Sequence, residues 1–179
     1  MSTSRIALRY AKPILELAKE KKVLDAVKGD MEAFSMLCKE SRELGLMLKS
    51  PIIPNLRKAE LLTRIFKGNV NDMTLQVFNI VTRKNRENLL EEIAEEFLQL
   101  YNIDKGLSEI AVTTSIKLDG KQRKEFEEIA KKLTDKEPIL KEVVDPSMIG
   151  GYIMKIGDRR IDQSISGQLK NIRLKLRVN

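Results

Sequence analysis

The sequence predicts a mainly α fold: an N-terminal six-helix bundle followed by a small α+β C-terminal domain. Three observations carry that prediction. From residue 4 to about residue 105, apolar side chains recur at three- and four-residue spacing, the period of helices packed on one face. After Gly106 the pattern changes to β-branched runs such as Leu107–Thr114. The stretch from Val144 to Ile165 then crowds Asp145-Pro146, Gly150-Gly151 and Gly157-Asp158 into two short strand-like runs and a helix start. The expected domains are 1–105 and 106–179.

In the first helix, Ala7, Ala11, Ile14 and Ala18 share one face, with Ser4 as the expected N-cap. Pro13 cannot donate to the Arg9 carbonyl, so a bend is expected there. A second run, about Val23 to Ser41, puts Val27, Met31, Phe34 and Cys38 on one face, and a short piece follows from Glu43 to Lys49. Ser50-Pro51-Ile52-Ile53-Pro54-Asn55 is a break, because two prolines remove donors and disfavour helix before them. Asn55 is the expected cap of a fourth helix containing Leu62, Ile65 and Phe66, ended by Gly68-Asn69. Asn71 or Asp72 caps a fifth, which runs to about Lys84. A turn around Asn85 and Asn88 leads to a sixth, Leu89 to about Asp104, with Leu90, Ile93, Phe97, Leu100 and Tyr101 on one stripe.

In the C-terminal part, Leu107–Thr114 reads as a strand and Leu118–Leu133 as a helix with Phe126, Ile129, Ala130 and Leu133 on one side. Ile139–Val144 is a second strand. Tyr152–Ile156 and Arg159–Asp162 form a hairpin turned by Gly157-Asp158. Ser164 caps a last helix carrying Ile165, Leu169, Ile172 and Leu176.

Two helices are apolar on more than one face. The first adds Ile6, Leu8, Tyr10, Leu15 and Leu17 to its main stripe. The fifth has Met73, Val77, Ile80 and Val81 on one face and Leu75, Phe78 and Thr82 on another. Such a helix is either central in the bundle or holds a partner on its second face. In the second case small residues such as Ala7 and Ala11 would leave a shallow groove for an amphipathic partner helix.

Composition removes several classes of function. The chain has 42% apolar and 33% charged residues, no His, no Trp and one Cys, Cys38. An internal disulfide is impossible and a Cys-rich metal site is excluded. Cys38, among Phe34, Leu37 and Leu44, reads as packing. The longest uncharged run, Met73 to Thr82, is 10 residues, against the roughly 20 a membrane-spanning helix needs. Helical periodicity begins at once, so no cleaved address is expected, and a bacterial protein is favoured over an imported precursor. Without His, the commonest general base is missing. Glu91-Glu92 and Glu95-Glu96 read as a solvated face offsetting nearby lysines. Gly150-Gly151 lacks the Lys-Ser/Thr of a P-loop. Arg159-Arg160 read as exposed charges on a hairpin, and Ser147 has no base near it in sequence. No catalytic, cofactor or metal residue emerges. Residues 159–179 hold six basic groups against Asp162, +5 of the chain's net +7, which suits nucleic acid, anionic lipid or an acidic protein. With eight aromatic residues in all, none among the basic groups of the last helix, stacking platforms for nucleic acid are lacking.

Several stretches resemble one family. Arg9-Tyr10-Ala11-Lys12-Pro13-Ile14-Leu15-Glu16-Leu17-Ala18 is similar to the opening of the delta subunit of rotary ATP synthases, whose mitochondrial relative is the oligomycin-sensitivity-conferring protein. Ser50-Pro51-Ile52-Ile53 followed by Lys58-Ala59-Glu60-Leu61-Leu62 resembles that family's break before its fourth helix. Asn85-Arg86-Glu87-Asn88-Leu89-Leu90 is similar to its turn before the sixth. Val144 to Ile165 resembles its C-terminal signature. Pro13, in place of a helix former, and Met148, in place of Leu or Ile, depart from the pattern.

The resemblance implies a non-catalytic peripheral-stalk (stator) subunit, one copy per complex, that keeps the catalytic head from turning with the rotor. It implies that an alpha-subunit N-terminal helix binds the first and fifth helices, with Ala7, Tyr10, Ala11, Ile14, Leu75, Phe78, Asn79 and Thr82 as the expected contacts. It also implies that the C-terminal domain meets the C-termini of the stalk b subunits, through Ile165, Leu169, Arg173 and Leu176. The expected place is the cytoplasmic face of a bacterial inner membrane, held there by the complex, with no span, cofactor or nucleic acid. On this reading Ala11→Glu weakens binding of an alpha N-terminal peptide while the bundle stays folded. The alternative is a nucleic-acid-associated basic helical adaptor.

Overall fold

The computed structural model describes residues 3–134, 136–157 and 159–177, and the side chains of Thr3, Ser4, Lys175 and Arg177 lie outside that description. The chain forms two compact units, Met1–Tyr101 and Asn102–Asn179. It is mainly helical, with a four-stranded sheet in the second unit.

The helices before the sheet are α1 (Thr3–Glu20), α2 (Leu24–Glu40), α3 (Arg42–Lys49), α4 (Asn55–Phe66), α5 (Asp72–Arg83) and α6 (Leu90–Asp104), with a 3-10 turn at Glu87–Leu89. α1 starts at Thr3, which places Ser4 inside the helix, not at its cap. Pro13 lies within α1 on an exposed position. Asn55 is likewise not a cap. Pro54 holds that position in extended conformation, and its carbonyl accepts from the Arg57 and Lys58 amides. A proline there needs no donor, which frees the Asn55 side chain to bond Asn85. Asn71 does cap α5, accepting from Met73 N at 3.0 Å. Asp30 of α2 adds to that end, accepting from Asn71 N at 2.8 Å and from the Thr74 hydroxyl at 2.6 Å.

One core joins these helices. Ala7, Ala11 and Ala18 of α1 and Val27 and Phe34 of α2 have no exposed surface. Phe34, Phe66 and Phe78 form a ring trio with centroids 4.7 to 5.6 Å apart. Such tilted contacts add to plain area burial. Cys38 belongs to the same core, and burial, reinforced by the Glu91 carboxylate, pushes its thiol up to about 11. It is therefore a packing group at neutral pH.

The second unit holds β1 (Leu107–Thr114), α7 (Gly120–Thr134), β2 (Glu137–Val144), β3 (Tyr152–Ile156), β4 (Arg159–Asp162) and α8 (Ile165–Arg177). The sheet order is β2-β1-β3-β4. β1 and β2 are parallel, with Leu107 opposite Glu137 and Thr114 opposite Val144, and the β1–β3 and β3–β4 pairs are antiparallel. A parallel pair needs a crossover, which α7 supplies. β2 begins earlier than expected and takes in Pro138, which an edge strand tolerates. α7 begins later than expected because Asp119 caps it. Its Oδ1 accepts from Lys121 N and Gln122 N, and Gln122 returns a bond to Asp119 N. The fully buried core is small: Ile110, Val112, Ala130 and Met154, with Phe126 edge-on to Tyr152 at 4.9 Å. Ile129 and Leu133, expected on the packed side of α7, are exposed. The turn residue Asp158 lies outside the described residues.

Candidate partner-binding site

The stretch from Asp145 to Gly167 positions α8. Asp145 Oδ1 accepts from the amide and hydroxyl of Ser147, which holds its carboxyl below the ordinary carboxylate range. Gly151 has φ +81, and a Cβ there would stand 2.3 Å from the Gln163 carbonyl oxygen. Only glycine lets the two segments approach so closely. Gln163 N donates to Tyr152 O at 2.9 Å and Ile165 N to Gly150 O at 3.1 Å, which fixes the entry to the helix. Ser164, 2% exposed, caps α8 by accepting from Gly167 N at 3.0 Å. Its own hydroxyl and amide donate to Asp162 Oδ1, at 2.5 and 3.0 Å, and these bonds depress the Asp162 pKa. Gly167 completes the arrangement, because a Cβ there would lie 2.7 Å from that same Asp162 oxygen.

No described residue of the helix so launched is fully buried. Ile165, Leu169, Ile172 and Leu176, at i, i+4, i+7 and i+11, are 42 to 73% exposed. Arg173 and Lys170 are exposed as well. The four residues expected at the stalk contact are therefore all at the surface, three of them on one apolar stripe of the helix. An exposed stripe of this kind gains roughly 25 cal/mol for each Å² that a partner covers.

The eight residues expected on α1 and α5 divide differently. Ala7, Ala11, Ile14, Phe78 and Thr82 are buried within the chain, and Tyr10, Leu75 and Asn79 are partly exposed. The Thr82 hydroxyl donates to the Phe78 carbonyl at 2.7 Å. On α5, both apolar faces are largely core, since Met73, Val77 and Val81 are buried as well as Phe78 and Thr82, with Ile80 left exposed. Ala11 has no exposed surface, so Ala11→Glu forces a carboxylate into the core and is expected to destabilise the bundle, against the expectation that it stays folded.

A site that periodicity passed over links two of the stretches quoted above. Lys58, 2% exposed, donates to Glu87 Oε1 at 2.8 Å, to Ser50 O at 2.7 Å and to Leu48 O at 3.1 Å. It ties the proline break to the 3-10 turn before α6. The signal was present in the sequence: Lys58, Leu62 and Phe66 are four apart, so the lysine stands in register with the buried stripe of α4. The acidic residues of α6 do offset lysines, Glu91 with Lys49 at 3.1 Å and Glu95 with Lys39 at 2.8 Å.

A model of the ATP synthase delta (OSCP) subunit family matches residues 6–176. The chain belongs to that family. Relatives named ATP synthase subunit delta include those of Cytophaga hutchinsonii, 33% identical over 98% of this chain and 96% of the relative, and of Desulforamulus reducens, 36% identical over 98% and 97%. A chain in a cryo-EM structure of the Toxoplasma gondii mitochondrial ATP synthase hexamer superposes with a TM-score of 0.74 at 21% identity, covering 95% of this chain and 96% of that one. That likeness is one of fold. The delta/OSCP match takes in every element described above, from α1 to α8.

Proposed function

We propose that this chain is the peripheral-stalk subunit joining the catalytic head of a rotary, proton-translocating ATP synthase to its stalk b subunits, so that the head does not turn with the rotor. The observation that carries the reading is membership of the delta (OSCP) family across residues 6–176. The helices before Leu107 act as one six-helix bundle on the head, and the region from 106 onward meets the stalk, with one copy per complex. The role is mechanical and needs no catalytic residue or cofactor. The exposed apolar stripe of Ile165, Leu169, Ile172 and Leu176 on the basic helix α8 supports the stalk contact. Lys170 and Arg173 supply charge that steers an acidic partner. For the head contact, Tyr10, Leu75 and Asn79 are the groups able to touch an alpha N-terminal helix directly, while Ala7, Ala11, Ile14, Phe78 and Thr82 shape the surface from beneath. No helix among the described residues is long and apolar enough to cross a membrane, so the subunit is held at the membrane by the complex.

The test is a pull-down of tagged full-length chain from solubilised membranes. Recovery of the alpha, beta and b subunits together is the expected result. Recovery of none of them sinks the proposal. A parallel salt titration with duplex and single-stranded DNA addresses the nucleic-acid alternative, which requires micromolar or tighter binding at physiological salt.

A further inference from the structure

Between α4 and α5 lies an open cleft of about 630 Å³. Leu56, Glu60 and Arg64 line it from α4, and Asn79, Thr82 and Arg83 from α5. The Asn55–Asn85 side-chain bond closes one end. Its two lining cations, Arg64 and Arg83, are exposed, and neither forms an ion pair among the described residues; Arg57, Lys67, Lys84 and Arg86, near them in sequence, are likewise exposed and outside any such pair. The carboxylates nearby are Glu60, in the lining, and Glu87, which is buried and already neutralised by Lys58. Three other cations of this unit do have partners, Lys28 with Glu32, Lys39 with Glu95 and Lys49 with Glu91. Unpaired like charges gathered on one surface repel each other, and a ligand of opposite charge relieves that repulsion. Leu56 stands at the rim with 79% of its surface exposed. A large apolar group beside unpaired arginines suits a ligand with both an apolar side chain and negative charge.

We infer that the α4–α5 cleft is a docking site for an acidic helical peptide segment that seats an apolar side chain against Leu56 and carboxylates against Arg64 and Arg83. A peptide fits better than nucleic acid for two reasons. Glu60 sits between the cations, where a continuous phosphate backbone would meet it, whereas a peptide can leave a gap in its charges. The lining also offers no aromatic ring for a base to stack on. α4 has 12 residues, so the matching segment is about three turns, roughly 18 Å long. The cleft shares Asn79 and Thr82 with the proposed head contact, but Leu56, Arg64 and Arg83 lie outside that contact, so failure to recover the ATP synthase head would leave the following titration unaffected.

The probe is a synthetic 12-residue helical peptide with two leucines and four glutamates on one face, titrated into the full chain by calorimetry and by amide-shift mapping. Expected are saturable binding that weakens with added salt and shifts at Thr63, Asn79 and Arg83. Arg64→Glu with Arg83→Glu lowers affinity by about ten-fold or more, and a lysine version of the peptide binds that double variant. Both arginines are exposed, so the variant keeps its fold, which circular dichroism checks. Glu60→Gln tightens binding of the acidic peptide, a gain that misfolding cannot imitate. Undiminished affinity in the double variant overturns the inference, as does a shift map confined to α1 or α8. Equal competition by inorganic phosphate or by duplex DNA also overturns it, because the cleft would then be a general anion site.

Discussion

The first unit and the second handle their apolar residues in opposite ways. The helices of the first turn theirs inward onto one core that includes three rings in tilted and edge contact and even a lysine held by three oxygen partners. The second unit fully buries four side chains, then spends its turn residues and caps on holding α8, whose stripe stays in solvent. Capping, a glycine close approach and a buried serine thus hold a helix whose described apolar side chains stay largely exposed. The contrast teaches where to look for a partner. In the first unit the expected contact residues are mostly structural, and in the second they are all exposed.

The largest expected effect separates the two cores. Met154→Ala and Phe34→Ala each remove about 2–5 kcal/mol of packing. In the second unit, with four fully buried side chains, that loss unfolds the sheet, seen as collapse of the amide dispersion of Ile110 and Val112. In the first it shifts a denaturant midpoint while the native fold survives in water. Equal behaviour of both variants would break the comparison.

Next comes Gly151→Ala. Positive φ and the contact with the Gln163 carbonyl oppose a side chain there, so about 1–3 kcal/mol of strain is expected. Hydrogen exchange should show α8 amides losing protection before those of β1 and β3. If all exchange together, α8 is not a separately held element.

Acid acts on the same joint with a smaller effect. Asp162 has a lowered pKa in the folded chain, chiefly from its bond to the Ser164 hydroxyl. A depressed carboxylate adds stability above its unfolded pKa, and that stability goes as pH falls through the folded value. Protection of the Ser164 and Gly167 amides should therefore drop below about pH 4, and Asp162→Asn should flatten that profile. A profile unchanged by the substitution would assign the acid response to other groups.

Leu169→Gln should change the stability of the free chain least, within about 0.5 kcal/mol, because the side chain is already exposed. Its effect appears in the pull-down, as lost recovery of b with the head retained. Loss of the head as well would move the stalk contact away from α8.

Much of the fold is legible in the sequence, and each miss has a physical source. β1, β3, β4 and the Ser164 cap stand where alternation and turn residues place them. The start of α4 departs from expectation because Asn55 is a common cap, yet Pro54 already occupies extended angles that suit the position. The start of α7 departs from expectation because Leu118 carries the apolar pattern back beyond Asp119, whose side chain caps the helix and sets its first turn. At the candidate site, periodicity identified the α8 stripe but could not tell on α1 and α5 which apolar face is core, since both faces of α5 satisfy the same spacing.

The sequence by itself determined the class, the order of elements, the impossibility of an internal disulfide and the resemblance to the delta subunit family. These follow from local properties: spacing, turn chemistry and composition. Tertiary structure alone decided that Ala11 and Phe78 are interior, that Lys58 is buried with Glu87, and that the α8 stripe is left open. Burial is a property of what lies across a contact, and Lys58 and Glu87 meet only when the chain between them has folded back through α4 and α5.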